Sequence, residues 1–444
     1  MGEGEMDVGN SENGNSGGGK AVSSGNGGKA EKKVTSGKQL WNSLVWHGGS
    51  IYDAWLNAVA AQVGSLILTL PYTFAQTGYW FGIGMQFLYG AFGCWTVLIL
   101  NVFHAEVSRR TRTTGIIHER HVLQYHEVIT IMAGKKPGNV VLAFNMSALV
   151  FSCVLQLIAC SRWNKREWLY LFGALALPTV LLPSVHNFRL VSILGIATTT
   201  ITSAYMTVAA VKHGQVGEVH HQGPKNMINF FTGATNILFS FGSHGLCIEL
   251  MEAMWKPQRY KYSYMMAVLY TYLLTIPDSV AVYWAYGDIL LHRSNAFGYV
   301  SFLLNANPLF LAWEKLVGVH LSKKFLPRAI ARVPVVLVVW FLALAIPFFG
   351  PINSIMGAFF ISFSVYIIPS ISFMVAYKRK QLEIEHALME KWGWLMYWIS
   401  AFVAVWVLIF GFGFGGWASG TTFIRQIHSF GFFDKCYQCP PKKL

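Results

Sequence analysis

Residues 230–255 read FFTGATNILFSFGSHGLCIELMEAMW, and the fold class turns on this stretch. It is long and apolar enough to cross a bilayer, which takes about 20 residues of helix. Its middle nevertheless holds Gly242, Ser243, His244 and Gly245, with Glu249 one turn further on. Each glycine weakens a helix by about 1 kcal/mol relative to alanine, so this pair marks a break. A titratable imidazole at membrane depth is costly unless it faces a cavity or a partner. An interrupted membrane helix with a proton acceptor at the interruption suits an ion- or proton-coupled carrier.

The composition points the same way. Of 444 residues, 54% are hydrophobic and 12% charged, against about 25% charged in soluble domains. An all-α, polytopic membrane protein is expected. The net charge of +14 reads as basic residues gathered in cytoplasmic loops, not as a nucleic-acid surface. No cluster of catalytic side chains stands out, so an enzyme is not expected. His118, His121 and His126 are too loosely spaced for a metal centre and read as a solvated loop. No cofactor is expected beyond protons as the coupling ion. Cys94, Cys153, Cys160 and Cys247 lie in apolar spans as packing residues. Cys436 and Cys439 form one pair, too few ligands for a zinc site.

Residues 1–40 are rich in Gly, Ser, Asn and Lys and are expected to form a disordered cytoplasmic tail, without the apolar core of a signal peptide. Eleven spans are expected within a carrier domain over 41–420. They fall at 54–78, 80–105, 138–160, 167–183, 190–211, 230–255, 262–286, 297–319, 332–350, 351–377 and 394–417. Residues 121–134 read as a short amphipathic interfacial helix, and 421–444 as a short extracellular tail. With the N-terminus inside, 24 of the 34 Lys and Arg residues fall on the cytoplasmic side, the bias the positive-inside rule requires.

The first span, AWLNAVAAQVGSLILTLPYTFAQTG, carries Gln62, Gly64 and Ser65 near its middle and Pro71 beyond. Spans one and six are matching positions if the chain forms two inverted five-helix halves. Unwound backbone at Gly64 and at Gly242–Gly245 would expose N–H groups and half-helix N-termini that attract a carboxylate. Gln62, Gly64, Ser65 and Thr69 are therefore the candidate binding groups of span one, weighed against a straight helix with small packing residues.

The same blocks carry a family resemblance. W-H-G-G-S (46–50), L-T-L-P-Y-T-F (68–74), F-T-G-A-T-N-I-L (231–238) and M-W-K-P-Q (254–258) resemble the plant AUX/LAX auxin influx carriers. So do V-Y-W-A-Y-G-D (282–288), P-F-F-G-P-I-N-S (347–354), V-Y-I-I-P-S (365–370), G-F-G-F-G-G-W-A-S (411–419) and K-C-Y-Q-C (435–439). The resemblance is collinear from about residue 40 to 440. It implies the amino acid/auxin permease architecture, a LeuT-type 5+5 fold with eleven helices. It implies proton-coupled symport of indole-3-acetate across the plasma membrane. The chain departs from the family at Ala61 and Ser65, where the pattern has Asn and Gln. It is shorter after Cys160 and before Pro308, and Asp278 stands where a small residue is usual.

His244 is the first candidate for contacting substrate or coupling protons, since an imidazole titrates near neutrality; the plainer reading is a packing histidine bonded to a carbonyl. Glu249 is placed to pass the proton on, or simply sits at the cytoplasmic mouth. Asn236 lies in the family block and joins the substrate-binding set. Phe239, Phe241, Tyr72, Tyr205 and Trp284 are aromatic candidates for an indole ring, and Phe241 and Tyr72 flank the two breaks. Asp53 could make a gating ion pair, and Asp278 is an intramembrane acid. Asn145 opens an N-x-S sequon inside span three, where no glycan attaches. Small-molecule substrate and membrane lipid are the expected partners. Two other readings stay open: a proton-coupled amino acid permease, and a non-transporting pseudo-carrier that senses or assists true carriers.

Overall fold

The computed structural model describes residues 49–63, 66–114, 123–159, 165–181, 189–217, 219–292, 309–319, 325–346, 349–382 and 386–431. The expected tail at 1–40, Gly64, Ser65, Cys160, Cys436, Cys439 and most of the expected eighth span lie outside them. The described residues are helical, with no strand among them. In chain order the helices are α1 (Ile51–Val63), α2 (Leu66–Thr77), α3 (Tyr79–Thr114), α4 (Tyr125–Ala133), α5 (Lys135–Ala159), α6 (Lys165–Ala176) and α7 (Arg189–His213). Then come α8 (Met227–Ser240), α9 (Cys247–Glu252), α10 (Tyr260–Tyr286), α11 (Phe325–Ala345), α12 (Phe349–Ile355), α13 (Ile368–Lys378), α14 (His386–Trp406) and α15 (Gly415–Phe430).

Seven helical runs among the described residues are long and apolar enough to cross a membrane, so the chain is a multi-pass membrane protein. The expected sixth span is not among them because it is two short helices in series, α8 then α9; the expected first is described as α1 and α2, with residues 64 and 65 between them outside the described residues. The expected fourth span is α6 followed by a tight turn at Leu177–Leu181, and of the expected eighth only 309–319 is described. Large apolar side chains on the outer faces remain exposed, including Leu194, Ile201, Tyr205 and Val211 along α7, as lipid contact requires.

Two boundaries differ from the sequence expectation. The last helix runs to Phe430 rather than ending near 417, since GGWASGTTFIRQIHSF has no proline to stop it and Gly431 takes the left-handed φ of 73° that ends it. The helix expected at 121–134 is α4, with a capping box between Gln124 and Glu127. It is no mere interfacial element: Tyr125, Val128, Ile129 and Met132 are buried, and the Tyr125 hydroxyl donates to the Ser364 carbonyl.

The helices pack around α1, α2, α8 and α9. α2 lies against α8 so closely that a Cβ on Gly233 would meet the Thr77 methyl at 2.6 Å. α10 packs against α1, α2, α3 and α7. Two widened, π-helical stretches, Met356–Ile367 between α12 and α13 and Val407–Phe414 between α14 and α15, face one another. The first approaches α8 until a Cβ on Gly357 would stand 2.1 Å from the Thr235 carbonyl oxygen. Such widened turns commonly mark functional positions in long helices.

Candidate functional site

The break in the sixth span is set by its residues. α8 ends at Ser240, and Phe241 (φ −102°, ψ 17°) and Gly242 (φ −85°, ψ 20°) leave the helical path. A tight turn over Ser243–Leu246 leads into α9. Neither glycine needs a left-handed conformation here. What excludes a side chain is proximity: a Cβ on Gly242 would lie 2.9 Å from two Ile361 carbons, and one on Gly245 2.6 Å from Asn145 Oδ1. The carbonyl of Phe241 is freed by the break and accepts from the Tyr264 hydroxyl at 2.9 Å.

A cavity of about 40 Å³ opens beside this break. Gln62 and Ala61 close one side from α1, and Asn145, Ser152 and Gln156 another from α5. Phe239, Gly242, Ser243 and Gly245 supply the break, and Met356 and Ile361 the widened stretch opposite. Gln62 joins the walls: its Nε2 donates to Ser243 Oγ (3.3 Å), and its Oε1 accepts from Thr271 Oγ1 (3.1 Å) on α10. Gln156 Oε1 is buried without a hydrogen-bond partner. The site is thus rich in amide and hydroxyl groups, one of them an acceptor awaiting a donor, in an otherwise apolar shell.

Of the residues named from sequence, Gln62, Gly242 and Gly245 line this cavity, and Gly64 and Ser65 lie outside the described residues. Thr69, Tyr72, Asn236, Phe241 and His244 do not line it. Tyr72 and Asn236 belong to a polar chain between α2, α8 and α12. In it Gln76 Nε2 donates to the Tyr72 hydroxyl (3.2 Å), Asn236 Nδ2 to Gln76 Oε1 (3.3 Å), and Asn353 Nδ2 to Asn236 Oδ1 (2.9 Å). Thr69 is buried in α2, its carbonyl accepting from Thr73 (3.0 Å). The Phe241 ring turns to Tyr272, its centroid 5.7 Å away, and Phe239 takes the place in the wall. Tyr205 and Trp284 are 72% and 40% exposed and face outward.

His244 is fully buried behind the turn, against α3. Its Nε2 lies 2.8 Å from Thr96 Oγ1 and 3.3 Å from the Gly93 carbonyl. Thr96 donates to the Phe92 carbonyl at 3.0 Å and a carbonyl only accepts, so Nε2 carries the hydrogen and Nδ1 is the basic nitrogen. Glu249 is buried on α9, its Oε2 without a hydrogen-bond partner. Asp53 Oδ2 accepts from Gly49 N (3.1 Å), Ser50 N (3.1 Å) and Ser50 Oγ (2.6 Å), closing the start of α1.

Contacts tie the helices together on either side of the cavity. At the end where α1 begins and α9 finishes, Trp255 N donates to the Gly49 carbonyl (3.0 Å) and His104 Nε2 lies 2.5 Å from Glu252. Further ion pairs join Lys315 to Glu127 and both Arg328 and Arg332 to Glu314, and Arg110 reaches the Gln381 carbonyl. At the other end, Asp288 N donates to the His220 carbonyl and Val216 N to the Ala285 carbonyl, both at 3.1 Å. His221 there packs on Tyr79 and Tyr283. Ion pairs therefore crowd one end, and the other closes with backbone bonds and aromatic rings.

The polar wall of α5 is what sequence reasoning missed. Asn145, Leu149, Ser152 and Gln156 fall on one helical stripe at spacings of four, three and four. Three polar residues on one stripe of an apolar span were a visible signal, but Asn145 drew notice only as a sequon.

Comparison with known sequences places the chain among carriers. The family described as transmembrane amino acid transporter protein matches residues 47–292 and 299–412. The chain is 45% identical to auxin transporter-like protein 1 of Medicago truncatula, over 93% of both chains. It is 45% identical to auxin transporter protein 1 of Arabidopsis thaliana, over 93% of this chain and 91% of that one. With auxin transporter-like protein 2 of Oryza sativa subsp. japonica it shares 44% identity over 91% of each.

Proposed function

Because the chain belongs to the transmembrane amino acid transporter family, among its auxin transporters, we propose that it imports the auxin indole-3-acetate with protons across the plasma membrane. It is a carrier and not an enzyme. The observation that carries the reading is the meeting of α1 and the interrupted helix α8–α9 at one polar cavity, in a chain 45% identical to named auxin transporters over most of its length. The N-terminus is cytoplasmic and the C-terminus extracellular in this reading. The crowding of basic side chains and ion pairs at one end supports that orientation.

The cavity gives each part of an indole acid a counterpart. The Gln62 amide and the Ser243 hydroxyl, at the start of a tight turn, are donors for the carboxylate, and the N-terminus of α9 adds a favourable dipole. Gln156 Oε1 accepts the indole N–H. Phe239, Met356 and Ile361 pack the rings. At about 40 Å³ the cavity holds a few waters at most, so it must widen to admit substrate during alternating access. An inverted 5+5 arrangement is supported by α1–α2 and α8–α9 lying side by side and running in opposite directions, with Gly49 bonded to Trp255, Gln62 to Ser243 and Gln76 to Asn236. His244, on the break, and Glu249, towards the cytoplasm, are the coupling groups proposed for the proton.

Uptake of radiolabelled indole-3-acetate into oocytes, with external pH stepped from acidic to neutral, tests this. Saturable uptake that is faster in acid is expected. Surface-expressed protein that takes up none at acidic pH overturns it. Competition by unlabelled aromatic amino acids at low concentration would favour the amino acid permease reading, which the family description keeps in view.

A further inference from the structure

We propose that Asp278 on α10 is a proton-binding site of the outer half of the carrier, loaded before the groups at the break. The proposal rests on the proton-driven reading above and adds a residue to it. Asp278 is completely buried, and neither of its carboxyl oxygens has a hydrogen-bond partner among the described residues. No charged side chain compensates it. The helices packed on α10 carry Tyr72 on α2, Tyr79 on α3, and Tyr205, Lys212 and His213 on α7; Asp288 follows α10, which itself carries Tyr272, Tyr283 and Tyr286. None of these pairs with Asp278. A bare carboxylate there would be prohibitively costly, so this closed form holds the acid neutral, with its proton on.

The surroundings tie that proton to the cavity. A line of buried groups runs along one face of α10 from the substrate site. Ser243 accepts from Gln62, Gln62 from Thr271, and Thr275 Oγ1 bridges the Thr271 carbonyl (2.7 Å) and Gln86 Oε1 (3.4 Å) on α3. Gln86 Nε2 has no partner, nor has the Ser279 hydroxyl beside Asp278. Asp278 stands one turn beyond Thr275 on this face, roughly 10 Å of helix from Thr271. Asp278 thus follows Thr275 on the helical face through which α10 meets Gln86. Pro277, just before Asp278, removes one rung of the helical ladder and makes this turn the pliable point of α10.

The cycle follows from charge and solvation. In the outward-open form water reaches the carboxylate, which takes a proton from it and becomes neutral. Only the neutral acid allows α10 to close dry against α3, and closure sets Thr271 against Gln62 in the wall of the cavity. When the interface reopens on the other side, the proton returns to water or passes to the break. Net charge and atoms balance at each step.

Infrared difference spectroscopy of the purified full-length chain, from neutral to alkaline pH, gives a readout independent of transport. A protonated-carboxyl band present in the parent and missing from Asp278→Asn is expected. In proteoliposomes, a one-unit pH gradient supports about tenfold accumulation per proton carried. Asp278→Asn should lose that accumulation far more than it loses exchange of labelled for unlabelled substrate at equal pH. Asp278→Glu, which keeps the acid, should restore gradient-driven accumulation with a displaced pH midpoint. An Asn variant with the parent's band, or with the parent's gradient-driven accumulation, overturns the assignment alone. A parent protein that takes up substrate without regard to the gradient overturns the proton-driven reading, and this site with it.

Discussion

Replacing Gln156 by leucine separates recognition of the indole N–H from recognition of the acid. Gln156 lines the cavity, and its Oε1 has no protein hydrogen-bond partner. A bound indole gives it one neutral hydrogen bond, worth about 1 kcal/mol or roughly fivefold in affinity. Leucine is of similar size and loses only that bond. An acid of the same shape with no N–H, naphthaleneacetate, meets the reverse situation: in the parent it seals an orphaned acceptor, a cost of about 1–3 kcal/mol that leucine removes. The ratio of the two affinities should therefore swing by about tenfold or more in favour of the naphthyl acid. The assay is competition of each unlabelled acid against labelled indole-3-acetate in surface-expressing cells. Equal shifts for both acids, or none for either, would refute the placement of the N–H at Gln156.

Other perturbations read other parts of the structure. Gly245→Ala places a methyl 2.6 Å from Asn145 Oδ1; overpacking of this kind costs about 1–3 kcal/mol, so uptake should fall with expression retained, by flux and surface labelling. Gly357→Ala meets backbone, the Thr235 carbonyl at 2.1 Å, whereas a Cβ on Gly84 has nothing within 4 Å. The first should abolish the monodisperse peak in size-exclusion chromatography, and the second, inside α3, should keep the peak and stabilise by up to about 1 kcal/mol. His244→Gln can still donate to Thr96 but cannot bind a proton, so the pH dependence of uptake should flatten while saturable binding survives; an unchanged profile would remove His244 from coupling.

The site was partly legible in sequence because a helix break is a local property. Gly242 and Gly245 weaken the helix wherever they stand, and the break appears where they lie. The direction of a side chain is not local. His244 and Ser243 are neighbours, yet Ser243 faces the cavity and His244 faces α3, because the turn's rotation is set by contacts with Gln62 on one side and Thr96 on the other. The same holds two residues before Ser243, where Phe241 turns to Tyr272 and leaves Phe239 to the wall.

Composition and hydropathy by themselves determined a multi-pass helical protein, its strongest spans and the glycine interruption, since each follows from apolar length and backbone propensity. The tertiary structure alone decided which faces meet. The stripe Asn145–Ser152–Gln156 becomes a wall only because α5 packs across the break. The widened turns of Met356–Ile367 bring Met356 and Ile361 opposite it. Asp278 reads in sequence as an acid in an apolar span; its full burial without a hydrogen-bond partner comes from the packing of the helices around α10. Helical periodicity fixes which residues share a stripe, but the rotation of that stripe toward lipid, neighbour or cavity is settled by long-range packing.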